Sequence, residues 1–359
     1  MYLLFGAEQV VIPVKRIIIV MILIIVCSTA LCVSTDPSTP ATANPTPPTP
    51  SPQTTTGNQQ PLPGSSIAPP AQTVKLIFLH HSTGENWLSD TNGGLGIALR
   101  DNNYFVSDTN YGWGPVAGDG PDPIGSYTDI GNWWTWFRGP KSTGIMNAVY
   151  AESGQHATYS RLPTDPVGKN QIVMFKSCYP NSNLRGNPQD PVPSIDANPL
   201  KGVNSGSDYH TVANAKGIYN DLLPYFQQHQ ETLFVVITAP PLENEKYHPT
   251  NARAFNQWLV SDWLRDYPYK NVAVFDFYNV LTTNGGNANI NDLGKETGNH
   301  HRWWNNAVQH TVDTSSGTHD TNAYPKAPGN DHPSIAGNQK ATAEFLHLLN
   351  LAYNRWQTG

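Results

Sequence analysis

Charge is scarce in this chain: Asp, Glu, Lys and Arg make up 13% of its 359 residues, against about 25% in ordinary soluble proteins. The 21 basic side chains are outnumbered by 27 acidic ones. This mildly acidic balance argues against nucleic acid as a partner, which would call for a basic face to displace counterions. Cysteine is scarcer still, with three in all. Cys27 and Cys32 fall in the first 33 residues, so Cys178 stands alone in the rest of the chain. An internal disulfide is therefore excluded, and the fold must be held by its apolar core. Internal repeats are absent. Aromatic residues are not scarce, at 10% with 10 Trp, which excludes a wholly disordered chain.

Only one long hydrophobic run occurs, and it lies at the amino end. Lys15 and Arg16 precede Ile17–Val26, a stretch without one polar side chain that extends through Cys27–Val33. A charged n-region before a run of this length marks residues 1–33 as a signal peptide or a short membrane anchor. Ser28 and Ala30 offer the small residues of a cleavage site. Cys32 raises lipidation as an alternative, although Leu31 is larger than the residue usually found before a lipidated cysteine. Residues 34–73 are dominated by Thr, Pro, Ser, Asn and Gln, and Asp36 is their only charge. Such a segment buries too little to offset its ordering entropy and reads as a disordered tether. The chain is thus expected to be secreted or held at the cell surface, touching a membrane only through an uncleaved amino-terminal segment.

The pattern changes at Val74, where a domain spanning 74–359 begins. Val74–His80, Gln171–Lys176, Thr232–Thr238 and Asn271–Phe277 are short apolar runs of the kind found in strands buried on both faces. Between and after them lie helical stretches: Thr211–His229, with Pro224 expected to kink or split it, Thr250–Tyr267, and Ser334–Trp356. In Thr250–Tyr267 an apolar side is expected along Ala254, Trp258 and Leu264. Strand–helix alternation predicts an α/β fold, a mostly parallel central sheet sandwiched between helices in an α/β/α arrangement. About 90 residues separate the first two runs, too many for one crossover, so long inserted loops or a small subdomain are expected there.

Loops at the carboxyl ends of such strands carry function. His80-His81-Ser82-Thr83-Gly84 ends the first run, and a serine there is a candidate nucleophile if a base and oxyanion donors meet it. His332, in Asp331-His332-Pro333-Ser334, precedes the last helix, with Pro333 near its start and Ser334 placed to cap it. Ser177-Cys178-Tyr179-Pro180-Asn181-Ser182-Asn183 comes after the second run, where the amide of Asn181 or Asn183 joins the Ser82 N–H as a candidate oxyanion donor.

Serine near the start, asparagine in the middle and His-Pro-Ser-x-x-Gly at the end make the chain similar to the SGNH (GDSL-type) hydrolases. The likeness covers most of Val74–Trp356 and includes the Ala239-Pro240-Pro241-Leu242 turn and the helix start Ala252–Asn256. It implies a three-layer α/β/α sandwich and a cofactor-free esterase. Ser82 would be nucleophile and oxyanion donor, His332 the base, and Asn181 or Asn183 a second oxyanion donor. The sequence departs from the family where His80-His81 replaces Gly-Asp and where Gly329 replaces the acid. Asp331 is the nearest carboxylate, with Asp320 or a backbone carbonyl as alternative supports for the imidazole.

Other features compete. Trp133, Trp134 and Trp136 form a dense aromatic patch that, with His81, suits a substrate cleft for an acylated polysaccharide or similar extracellular ester; the same tryptophans equally suit a core. A non-catalytic carbohydrate-binding module is the alternative on the same fold. A zinc-dependent deacetylase is a third reading, because His300, His301, His310, His319 and Asp320 cluster in sequence, but no H-x-x-x-H or H-E-x-x-H spacing occurs and no metal is expected. Asn, Gly and Tyr are frequent around Asp101–Gly114 and 285–299, a composition that suits hydrogen-bonding loops and equally a calcium site built from carbonyls and Asp.

Overall fold

In a computed structural model, the described residues are 66–115, 123–244, 248–282, 300–304, 307–311 and 330–359, the strands at 300–304 and 307–311 by backbone alone. The expected leader at 1–33 and most of the tether lie outside them. Residues 66–73, placed in the tether by composition, are partly pinned to the domain. Asn350 and Asn354 donate side-chain hydrogen bonds to the carbonyls of Ser66, Ile67 and Ala68, and Asn103 to that of Pro70. A Pro- and Ala-rich segment has few side chains to bury, yet its carbonyls still accept, which composition alone does not reveal.

Five strands form one all-parallel sheet: β1 (Val74–Leu79), β2 (Tyr104–Thr109), β3 (Ile172–Lys176), β4 (Leu233–Ile237) and β5 (Val272–Phe275), ordered β2-β1-β3-β4-β5. Alternate residues feed two cores. Leu76, Phe78, Ile172, Met174 and Val235 face α1 (Thr83–Leu88), α2 (Leu95–Asp101), α7 (Phe277–Leu281) and α8 (Ile335–Gln357). Ile77, Leu79, Val173 and Phe175 face α3 (Ile130–Phe137), α4 (Ser142–Ala151), α5 (Val212–Gln228) and α6 (Pro249–Ser261). Burial on both faces is why β1, β3 and β4 read as nearly unbroken apolar runs rather than as alternating ones. Lys75 is the exception inside β1, and its ammonium meets Asp165 at 2.6 Å. Among the described residues no helix is long and apolar enough to cross a membrane.

Three local readings change. The span after β1 holds a fifth strand, β2, which its polar end Ser107-Asp108-Thr109 disguises; all three side chains are buried. Pro224 neither ends nor splits α5, which runs unbroken across it. The apolar side of α6 is wider than expected: Ala252, Phe255 and Leu259 are buried, and Trp258 and, past the helix end at Ser261, Leu264 pack half-buried against the same core. A second, antiparallel pair, β6 (His300–Trp304) with β7 (Ala307–Thr311), sets His301 opposite His310.

Chain order decides where a ligand fits. From β1 the chain steps to one side for β2 and then to the other for β3, so the connections diverge between β1 and β3. A crevice opens at the carboxyl ends of the strands at such a switch point.

Candidate active site

Ser82 stands at that switch point, three residues beyond β1 and just before α1. Its backbone lies at φ 44°, ψ −93°, a conformation L residues rarely adopt. Holding it costs about 1–3 kcal/mol, which the surroundings must over-determine. They do so from below. His80 is fully buried, its Nε2 3.2 Å from Asp108 Oδ2, while Asp108 Oδ1 accepts from Tyr159 Oη at 2.9 Å and from the His156 N–H at 2.8 Å. Gly84 rests directly on the His80 ring: a Cβ at position 84 would lie 2.5 Å from His80 Cβ and 2.6 Å from Cγ. The missing side chain lets α1 descend onto the sheet and sets the serine at its tip. Gly84→Ala is expected to lower stability by about 1–3 kcal/mol through overpacking; thermal melts would check it.

The partner comes from the other end of the domain. His332 precedes α8, where Pro333 is buried and the Ser334 hydroxyl accepts the Gly337 N–H at 3.1 Å, fixing the helix entrance. From there Nε2 of His332 accepts a hydrogen bond from the Ser82 hydroxyl. The opposite ring nitrogen, Nδ1, donates to Asn330 Oδ1 at 2.9 Å, and the His332 backbone N–H donates to the same oxygen at 3.1 Å. A carboxamide oxygen can only accept, so Asn330 holds the proton on Nδ1 and leaves the Nε2 lone pair toward the serine.

No family model, curated protein or solved structure matches this chain. The site must therefore be read from its own chemistry.

Asp331, expected as the acid, does not face the imidazole. Its Oδ1 accepts the backbone N–H of Glu243 at 2.8 Å, which ties the His332 loop to the segment after β4. Adjacent side chains on an extended segment diverge, and here the carboxylate took the outward direction. The third position is filled by Asn330, which a search for carboxylates passes over. Asp320 lies outside the described residues.

The oxyanion donors also need correction. Asn181 is buried with both amide hydrogens engaged, by Asp129 Oδ1 at 2.6 Å and the Cys178 carbonyl at 3.2 Å, while its Oδ1 accepts the Ile130 N–H at 2.8 Å. It fastens the start of α3 to the loop after β3 and has no hydrogen left for a substrate. For Asn183, the contacts are of the backbone: its N–H reaches the Pro180 carbonyl and its own carbonyl meets His210 Nδ1. No contact brings its amide to Ser82. What the serine does have is its own N–H and that of Thr83, neither of which finds an acceptor among the described residues.

Aromatic side chains frame the pair, though not the expected ones. Trp133 and Trp136 are fully buried, their indole N–H groups donating to Ser177 Oγ at 2.9 Å and the Tyr127 carbonyl at 2.7 Å. They belong to the core and offer no face to a substrate. Trp134 turns outward, with the Lys201 ammonium 5.4 Å from its ring. Beside the serine stand Tyr111, stacked on His81 with ring centres 4.6 Å apart, and Tyr179, edge-on to His332 at 4.9 Å. The Tyr111 hydroxyl interacts with that of Ser82, and partial burial raises its pKa, which keeps it protonated. Tyr111 is anchored by a tight turn: its N–H donates to Asn110 Oδ1 at 2.9 Å, and Asn110 Nδ2 reaches Glu85 of α1 at 3.1 Å. The only sequence signal for it is the Asn-Tyr-Gly turn after a strand that its polar end disguises.

Electrostatics keep the neighbouring imidazoles neutral. Burial, then the nearby Lys176 ammonium, push His81 down to about 4. Burial lowers His80 as well, against the upward pull of Asp108. Among the described residues no group of three or more His, Cys, Asp or Glu is gathered as a metal site would require. His319 lies outside those residues.

Proposed function

We propose that the chain is a serine hydrolase acting on carboxylic esters, with Ser82 as nucleophile and His332 as base. The observation that carries this reading is the hydrogen bond from the Ser82 hydroxyl to His332 Nε2, joining the loop after the first strand to the loop before the last helix at the switch point of the sheet. A nucleophile in reach of a base that is itself oriented by a third group is the arrangement acyl transfer needs.

The geometry supports each step of this reading. Nε2 takes the serine proton as Oγ attacks the ester carbonyl. The resulting oxyanion meets the unpaired N–H groups of Ser82 and Thr83, with the Tyr111 hydroxyl as a further donor at its edge. The imidazolium returns its proton to the departing alcohol, leaving an acyl-serine. Water, deprotonated by the same Nε2, then attacks the acyl carbon and releases the acid and free serine. Asn330 keeps the ring in the productive tautomer throughout, without adding a charge.

The amino-terminal leader pattern and the Pro/Thr-rich tether support an exported enzyme working on an acylated polysaccharide or other extracellular ester. Tyr111 and Tyr179, rather than the tryptophans, would line the approach. Incubation of the purified protein with a fluorophosphonate probe, followed by peptide mapping, tests the assignment. Covalent modification at Ser82 together with turnover of an activated acetate ester is expected. A protein that is folded yet neither labelled nor active would overturn it.

A further inference from the structure

Lys176 ends β3 and is 1% exposed, one of the largest fully buried side chains in the described structure. Buried charges are ordinarily paired. Lys176 has no carboxylate within ion-pair distance among the described residues, and its ammonium donates only to the Ser177 carbonyl, at 3.1 Å.

Its position gives this anomaly a direction. Leu79 of β1 pairs with Phe175 of β3, so one residue further on His80 lies beside Lys176. Both side chains project to the α1/α8 side of the sheet, since Phe78 and Met174, two residues earlier, belong to that core. Asp108, His80 and Lys176 therefore form a row under the first turn of α1, in which the carboxylate bonds to the imidazole and the ammonium is left over. Two residues beyond Lys176, Cys178 Sγ touches Thr83 Oγ1 at 2.8 Å, which places this strand end against the segment whose N–H groups find no acceptor among the described residues.

We propose that Lys176 is the fixed counter-charge for the negative oxygen formed during acyl transfer, acting through the backbone of Ser82 and Thr83 rather than by touching the substrate. The proposal rests on the hydrolase reading above. A carboxylate in the third position would favour the imidazolium and oppose the oxyanion. With neutral Asn330 there and a buried cation beneath the serine, the fixed charge instead favours the anionic half of the transition state.

Lys176 is thus a positioning residue, and its field depends on its proton. Burial brings it from 10.5 to about 8, partly offset by Cys178. The titratable groups around it are His80 and His81 just past β1 and Cys178 on its own loop, with Glu85 on α1 beyond His80, and Asp129 at the start of α3 and His332 before α8 beyond His81. Both imidazoles are already neutral at pH 7 and stay so on going alkaline. Loss of the ammonium proton therefore predicts an alkaline limb centred near pH 8 in kcat. The same shift has a stability consequence of fixed sign. The unfolded chain keeps its lysine proton up to about 10.5, so the buried charge opposes folding fully below pH 8, and the opposition eases as pH rises between the two values.

Lys176→Met tests this, since it removes the charge and nearly keeps the volume. The expected result is a paired change: Tm at pH 7 up by about 2 °C or more, and kcat down about 10- to 30-fold with KM within twofold and the alkaline limb abolished. A purely structural lysine would give the stability change without the kinetic one. Unchanged kcat and an unchanged alkaline limb in a folded Lys176→Met protein would overturn the proposal. If that variant does not fold, the unsubstituted protein decides: loss of kcat centred near pH 8 supports the role, and a flat profile from pH 7 to 9.5 overturns it. Fluorophosphonate labelling of unsubstituted Ser82, run alongside, separates failure of this proposal from failure of the hydrolase reading.

Discussion

Ser82→Ala is expected to lower kcat toward esters by a factor on the order of 10⁶ and to abolish phosphonate labelling, with the fold intact. The reason is that nothing else among the described residues near His332 replaces the lost nucleophile. The serine hydroxyl is the group that donates to Nε2, and the Tyr111 phenol beside it has its pKa raised by burial, making it a poor one. Alanine keeps a Cβ at the same positive φ, so the local strain is retained and the melting temperature should hardly move. Stopped assays with an activated ester, paired with thermal melts, read both quantities. Retention of more than about a hundredth of the activity would end the assignment of Ser82, because residual rates after nucleophile removal come only from binding and oxyanion donors.

The next largest effect should come from Asn330, through two substitutions of opposite sense. Asn330→Leu removes the acceptor for Nδ1–H, so the imidazole can populate the tautomer with its proton facing the serine. Loss of correct tautomer and orientation costs up to about 10⁴ in kcat in serine hydrolases, and a loss of about 10² or more is expected here. Asn330→Asp puts a carboxylate where the amide stands, at 2.9 Å from Nδ1. That favours the imidazolium formed in the transition state and should raise plateau kcat. The same charge also favours the protonated resting enzyme, so the acid limb of the pH–rate profile should move to higher pH. Kinetics of both variants from pH 5 to 9 would show it. If Asn330→Leu stays within threefold of the parent across that range, the carboxamide is a bystander and the site is a two-residue machine.

How much of this is legible in the chain depends on the physics of each element. The runs at 74–80, 171–176, 232–238 and 271–277 are plain because strands buried on both faces admit little but apolar side chains, and each contains a strand of the sheet. β2 is hidden because its last three residues, though buried, are polar, and Ser107 and Asp108 bond to partners far away in sequence. Ser82 and His332 are brought together by topology, since loops at strand ends converge at a switch point whatever their separation along the chain. Their support is not legible. Whether Asp331 or Asn330 turns toward the ring depends on which of two adjacent side chains the loop points inward. Asn181 looks like a donor because an amide after a strand can donate; that both hydrogens are already engaged depends on Asp129, fifty-two residues earlier. Trp133 and Trp136 carry the same ambiguity, and burial resolves it toward packing.

The hydrogen bond between Ser82 and His332 has a further consequence for biogenesis. If Ser82 and His332 act as proposed, the nucleophile is made early on the ribosome and its base only some 250 positions later, so a product that stops short of His332 would lack the base. Ester turnover by this protein would then report completed synthesis and docking of the carboxyl-terminal helix, and a nascent or prematurely ended chain would be chemically silent toward the acyl groups of the cell that makes it.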